Sequence, residues 1–232
     1  MLLYLDQSGH PLAQAFKAFV DEDSFPCVGA KSALGRNHLH FCVASDIRSN
    51  WDDMRVHHAI SRFVRISSSE PDSLWSCVVI FEDASPLTEV QFERALWNRL
   101  QSWSDKDRWL GFEPDPAIST DSADPYFALS FAGEAFFAIG LHPHSSRLAR
   151  SFERPAIVLN PHSQFRTLRE TDRYERMREV ILQRDALFSG SINPMVSRHG
   201  LESEARQYSG RATGRDWQCP FSRRTRWNAD AA

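Results

Sequence analysis

The stretch YFALSFAGEAFFAIGLHP (residues 126–143) restricts the possible folds more than any other part of this chain. Two runs rich in aromatic and aliphatic residues flank Gly133-Glu134, and glycine tolerates the positive φ that a tight turn demands. The pattern predicts a β-hairpin, and hence a sheet with antiparallel pairing. Three further runs have strand character: HLHFCVAS (38–45), SLWSCVVIFE (73–82) and RPAIVLNPHSQF, the last ending at Pro161-His162.

Helical spacing alternates with these runs. LAQAFKAFVDED (12–23) places Leu12, Phe16 and Phe19 on one side. SFPCVGAKSALG is a loop with a short helix ended by Gly35. SNWDDMRVHHAISRFVRI follows a Ser49 or Asn50 cap, with Trp51, Met54, His58 and Phe63 at helical spacing. LTEVQFERALWNRLQSWS puts Leu87, Val90, Phe92, Leu96, Leu100 and Trp103 near one broad face. RYERMREVILQRDALFSG is a charged amphipathic helix stopped by Gly190. Neighbouring strands read as hairpins, so the expected class is α+β. The expected architecture is a single domain over residues 1–221, a mainly antiparallel sheet flanked by helices. Residues 222–232 read as a basic, disordered tail.

The 232 residues suffice for one substantial core, and no apolar run reaches the ~18–20 residues that span a bilayer. MLLYLDQSGH lacks a basic n-region, so a cytoplasmic location without membrane attachment is expected. The four cysteines contain no CxxC pair, which argues against a zinc ribbon or a thioredoxin-type motif. Cys42 and Cys77 sit in apolar runs and read as core. Cys27 and Cys219, each beside a proline, stay open as candidates. Charge is uneven: residues 1–142 carry 11 basic against 20 acidic residues, whereas 143–232 carry 16 arginines and no lysine against 10 acidic residues. Arginine forks suit carboxylates and phosphates, although solvated helix faces explain the same count. With a net charge of −3 and no nucleic-acid-binding motif, nucleic acid is not the expected partner. GxGxxG, P-loop, HExxH and GxSxG motifs are missing.

Chemistry-bearing residues gather at two strand ends. FFAIGLHP and AIVLNPH each finish in a His beside a Pro, so His142 and His162 are expected at a sheet rim, sharing one pocket if the strands are neighbours. Arg147 and Arg150 are three apart just after His142; with Ser145 and Ser146 as donors they can clamp a dianion, or simply form a basic turn. Cys27, in the Cys-x-Gly that opens a short helix, would meet free backbone N–H groups that stabilise a thiolate; a structural cysteine is the alternative. Glu134, Asp185, Glu202 and Glu204 supply carboxylates near these segments.

Taken in order, FPCVGAKSAL, FFAIGLHPHSSRLARSFERPAIVLNPHSQFRTLR, RYERMREVILQRD, GSINPMVSRHG, SEARQYSGR and WQCPF resemble the YqcI/YcgG family, from about Phe25 to Phe221. SNWDDMRVHHAISRFV and the Trp- and Arg-rich tail depart from it. Members with known roles are haem-dependent N-oxygenases of natural-product pathways, of the arginine and pre-guanitoxin N-hydroxylase type. The resemblance implies an N-hydroxylating monooxygenase acting on the guanidine or side-chain amine of a free amino acid such as arginine or lysine. It implies haem b as cofactor, with dioxygen and an electron donor, or peroxide, as oxidant. A homodimer is compatible with it.

On that reading His142 is the favoured iron ligand, because the arginines follow it at once, with His162 and Cys27 as rivals. Arg147, Arg150 and Ser146 would hold the propionates. His162 would deliver protons on the distal side, with Glu134 beside it as a catalytic and substrate-binding carboxylate. Glu134 or Glu204 would take the substrate cation, and Arg206 or Arg211 its carboxylate. The same ligand and arginines without a substrate carboxylate would describe a haem carrier or sensor; without haem, they would describe a phosphate or nucleic-acid binder.

Overall fold

The computed structural model describes residues 6–191, 193, 200–214 and 216–222. The chain runs α1 (Pro11–Asp21), α2 (Val28–Gly35), β1 (Leu39–Ala44), α3 (Asp53–Ser67), β2 (Ser76–Phe81), α4 (Glu89–Trp109), β3 (Leu129–Phe131) and β4 (Glu134–Leu141). A 3-10 turn (Leu148–Arg150), β5 (Ala156–Pro161), α5 (His162–Glu170), α6 (Tyr174–Ser189) and α7 (Ala205–Tyr208) follow. The strands form one sheet in the order β1-β2-β5-β4-β3.

The fold is α+β with a mixed, mainly antiparallel sheet. Two details differ from the sequence reading. β1 and β2 are parallel rather than a hairpin, because α3 fills the connection and a helical crossover returns the chain in the same direction. The β3–β4 turn is Ala132-Gly133, one residue earlier than expected: Phe131 pairs with Glu134 while Ala132 and Gly133 take φ of 52° and 81°. Positive φ at both central residues gives the twist that flanking strands require.

Side chains alternate across the sheet and feed two cores. Cys42, Cys77, Val79, Phe81, Phe136, Ala138, Ile157 and Leu159 face one layer with α3, α4 and α7. Phe41, Val78, Ile80, Leu141 and Val158 face the other with α1 and α2. Every residue of β2 is therefore buried, which explains its continuous apolar run.

On α4 the expected face holds through Phe92, Leu96, Leu100 and Trp103, all fully buried, but Val90 points to solvent. Thr88 and Gln91 close a capping box at its N-terminus. On α3 the expected stripe is rotated: Val56, Ala59, Ile60 and Phe63 turn inward, while Trp51 is 89% exposed and Met54 44%. The competing signal was buried polar pairing. Asp53 accepts from Arg99 and from the Trp103 indole, and His57 pairs with Asp107 at 2.8 Å. Those bonds orient the helix against α4 and leave Trp51 outside. Residues 223–232 of the expected tail lie outside the described residues.

Candidate functional site

A cavity of about 300 Å3 opens on the face of the sheet shared with α1, α2 and α6. Phe137, Ile139 and Leu141 of β4 and Val158 and Asn160 of β5 form its floor. These residues are cross-strand partners or neighbours: Phe137 pairs with Asn160 and Ile139 with Val158. Met177, Ile181 and Leu182 of α6 and Phe16, Val20 and Phe25 close the apolar walls. Its size lies within the usual range for small-molecule sites.

Alternation decides which histidine reaches it. His162 continues the Val158-Asn160 parity and lines the cavity. His142 continues the Phe136-Ala138-Gly140 parity and faces α4, where its ring stacks on Phe92 at 4.3 Å. The antiparallel register also separates the pair, since Leu141 lies opposite Ala156 and Phe136 opposite Pro161. The two histidines thus leave opposite ends of the strand pair. His142 is 2% exposed and its Nδ1 has no hydrogen-bond partner. Burial depresses its pKa to about 4, with Glu89 opposing and His144 reinforcing that shift.

Cys27 lies in the cavity wall as the N-cap of α2, with Sγ accepting from the Ala30 amide at 3.4 Å. Burial pushes its thiol upward, while the amides of Ala30 and Gly29 and the Arg150 guanidinium pull it back. Arg150 is lowered to about 10, chiefly by burial, with Asp185 and Cys27 raising it. One of its guanidinium nitrogens donates to the carbonyls of Gly140 and Tyr208. No carboxylate among the described residues lies within ion-pair distance of Arg150. Arg147 also reaches the cavity, but Asp185 and Ser191 engage its guanidinium.

At the other end, His162 Nε2 lies 2.9 Å from Glu204 Oε1. The Tyr208 hydroxyl donates to the same oxygen at 2.5 Å. Arg169, seven residues beyond His162 on α5, lines this end with its guanidinium over the Tyr174 ring. The strand ends at Pro161-His162, as the sequence predicts, but the sequence reading assigns no helix after it, and α5 starts there. Pro161 ends the ladder and His162 starts a helix whose Ser163 amide and hydroxyl donate to Glu134 Oε1.

The remaining candidates lie away from the cavity lining. Glu134 serves the N-terminus of α5. Ser146 donates from its amide and hydroxyl to Glu89 at the start of α4. Arg211 forms a two-pronged pair with Glu93, and Arg206 donates to the Gly214 carbonyl beside Glu202. Tyr208 went unnoticed in the sequence, although its place one helical turn after Glu204 in SEARQYSGR is a readable signal.

These residues fit a flat apolar group with anionic edges and a metal centre. The walls are apolar, the thiol and imidazole line one cavity, and Arg150 is a half-buried cation without a carboxylate within ion-pair distance among the described residues. Among the same residues no group of three or more His, Cys, Asp or Glu is arranged to hold a bare metal ion. Haem iron needs only one or two protein ligands, so that observation does not bear on it.

The model of the YqcI/YcgG family matches residues 16–222, and the chain belongs to that family. A relative from Bacillus subtilis (strain 168), described as the uncharacterized protein YcgG, is 27% identical over 212 residues, covering 87% of this chain and 82% of its own. No solved structure matches. No helix among the described residues is long and apolar enough to cross a membrane.

Proposed function

From this membership and the cavity, we propose that the protein is a haem-dependent N-oxygenase acting on the guanidine or side-chain amine of a free amino acid such as arginine or lysine. The observation that carries the reading is the meeting of Cys27, His162 and the half-buried Arg150 in one apolar cavity.

Cys27 is the residue to hold the iron, in place of His142, whose ring lies on the opposite face. Metal coordination deprotonates a thiol outright, and the α2 amides and Arg150 favour the resulting anion. An anionic edge of the cofactor would give Arg150 the carboxylate partner that the described residues do not supply, and Arg147, braced by Asp185, would add a second cation. When bound, the haem supplies oxygen activation, and a thiolate ligand favours O–O cleavage.

The chain's own groups would do the rest. Glu204 faces the cavity with Oε1 engaged by His162 and Tyr208, leaving Oε2 for a guanidinium or ammonium group. Arg169 takes the substrate carboxylate, a role that neither Arg206 nor Arg211 can fill from outside the cavity lining. His162, fixed through Nε2 by Glu204, moves a proton at the cavity wall. The apolar walls exclude bulk water and strengthen these contacts.

The test is mass spectrometry of arginine, lysine and their analogues after incubation with the haem-loaded protein and either dioxygen plus a reductant or peroxide. The expected product gains one oxygen atom. Haem binding with every substrate mass unchanged would replace the enzyme reading by that of a carrier or sensor.

A further inference from the structure

Behind Glu204, a line of oxidisable aromatic side chains runs from the cavity to the surface. Tyr208 is fully buried, and its ring meets the cavity-lining Phe137 edge-on at 5.5 Å. On its other side it stacks on Trp97 of α4, centroids 5.6 Å apart and planes within 29°. Trp97 is followed at 6.2 Å by Trp217, which is half-buried. The cavity lies on one face of the sheet and Trp97 belongs to the core of the other, so Tyr208 joins the two.

We propose that Tyr208, Trp97 and Trp217 form a hole-transfer chain, with Glu204 as the proton acceptor that makes Tyr208 its redox-active terminus. The proposal holds for any one-electron oxidant in the cavity and does not rest on haem being the occupant.

The hydrogen bonding suits each member to its place. Oxidising a phenol releases its proton, and the Tyr208 hydroxyl is hydrogen-bonded to a carboxylate at 2.5 Å. One electron passes to the oxidant while the proton moves to Glu204. Trp97 then returns an electron to the phenoxyl oxygen, and the same proton comes back from Glu204 to restore the phenol. The indole Nε1 of Trp97 is buried without a hydrogen-bond partner. Its radical cation therefore has nowhere to put its proton, and a buried unpaired cation is costly. Trp97 is therefore a brief relay: the hole rests on Tyr208, and reduction of Trp217 at the surface is what draws it outward. Trp217, partly open to water, can shed its indole proton and recover an electron and a proton from a soluble thiol or ascorbate.

Such a chain drains oxidising equivalents that fail to meet substrate and would otherwise attack the apolar walls. The sulfur of Cys219, partly buried beside the same cluster with its thiol pushed up to about 11 by burial, remains protonated at neutral pH.

The test injects the hole from outside, so no cavity occupant is needed. A ruthenium polypyridyl photosensitiser is coupled to Asp216→Cys in a Cys27→Ser, Cys219→Ser background; Cys42 and Cys77 are buried and escape labelling. After a flash with a sacrificial electron acceptor, transient absorption and freeze-quench EPR should show a tryptophan signal giving way to a tyrosyl radical. Tyr208→Phe should abolish the tyrosyl signal, and Glu204→Gln should suppress it while the tryptophan signal persists. Trp97→Phe should leave the hole on Trp217. Since Trp97 is a core residue, Trp217→Phe supplies a second interruption at a half-buried position. A tyrosyl signal that survives Tyr208→Phe, or that forms undiminished in Trp97→Phe and Trp217→Phe, would overturn the chain. Because no haem is present, neither result depends on whether the protein binds one.

Discussion

The roof of the cavity depends on a single buried ion pair, and breaking it should loosen α6 before anything else. Asp185 is the only residue of α6 that is buried, and it meets Arg147 with side-chain exposures of 9% and 10%. Removing one member of such a pair strands the other charge, typically at a cost of 3–5 kcal/mol. In Arg147→Met the stranded Asp185 carboxylate keeps the hydrogen bond from the Ser189 hydroxyl, so the lower end is expected, about 3 kcal/mol. Asp185→Leu strands a guanidinium that keeps its bonds to Ser191, with a similar cost. In the double variant no charge is stranded, and the loss should shrink to about 1 kcal/mol, a coupling of several kcal/mol. The assay is a double-mutant cycle from urea unfolding, joined to amide exchange. Protection should fall in α6, which otherwise leans on the Arg184 bonds to the carbonyls of Asp23 and Phe25, while β2 and β5 stay unchanged. Additive losses with coupling below about 0.5 kcal/mol would refute the argument.

Three further outcomes follow from the sheet and its rims. Gly140→Ala places a Cβ 2.5 Å from Leu96 Cδ1 and 2.7 Å from Phe92 Cε1, and should cost about 1–3 kcal/mol, read as a lower urea midpoint. Glu134→Ala removes the acceptor for the first turn of α5 and should cost about 0.5–2 kcal/mol of stability, with ligand affinity in the cavity unchanged by calorimetry. His142 is held neutral down to about pH 4 when folded, whereas the unfolded chain protonates near 6.5. The unfolded state thus binds the extra proton first: its contribution is full above about pH 6.5, declines as pH falls, and levels off near pH 4. Urea titrations across that window should show the slope flatten in His142→Gln.

Much of the fold was legible because it rests on local periodicity. The hairpin and the Phe92-Leu96-Leu100-Trp103 face were visible as patterns of two and of 3.6. The α3 face was not, since its orientation is set by Asp53 and His57 bonding to α4 some fifty residues away. The parallel β1–β2 pair depends on the long crossover through α3 rather than on any signal within the strands.

In the site, Cys27, His162, Arg147, Arg150 and Glu204 were named from the sequence and do line one cavity. Its neighbours along the chain favour His142, yet the parity of β4 sends it to the other face, and that parity is readable from FFAIGLH. Residue type alone marks Arg206 and Arg211 as candidates; their carbonyl and carboxylate partners come from tertiary packing that no local pattern announces.

The most direct measurement is the ferrous-CO absorption spectrum of the haem-loaded protein beside its Cys27→Ser and His142→Ala variants. The expected spectrum shows a Soret band of the long-wavelength thiolate type that Cys27→Ser removes and His142→Ala leaves in place. A protein that takes up no haem, or a Soret band lost with His142→Ala and retained in Cys27→Ser, would contradict it.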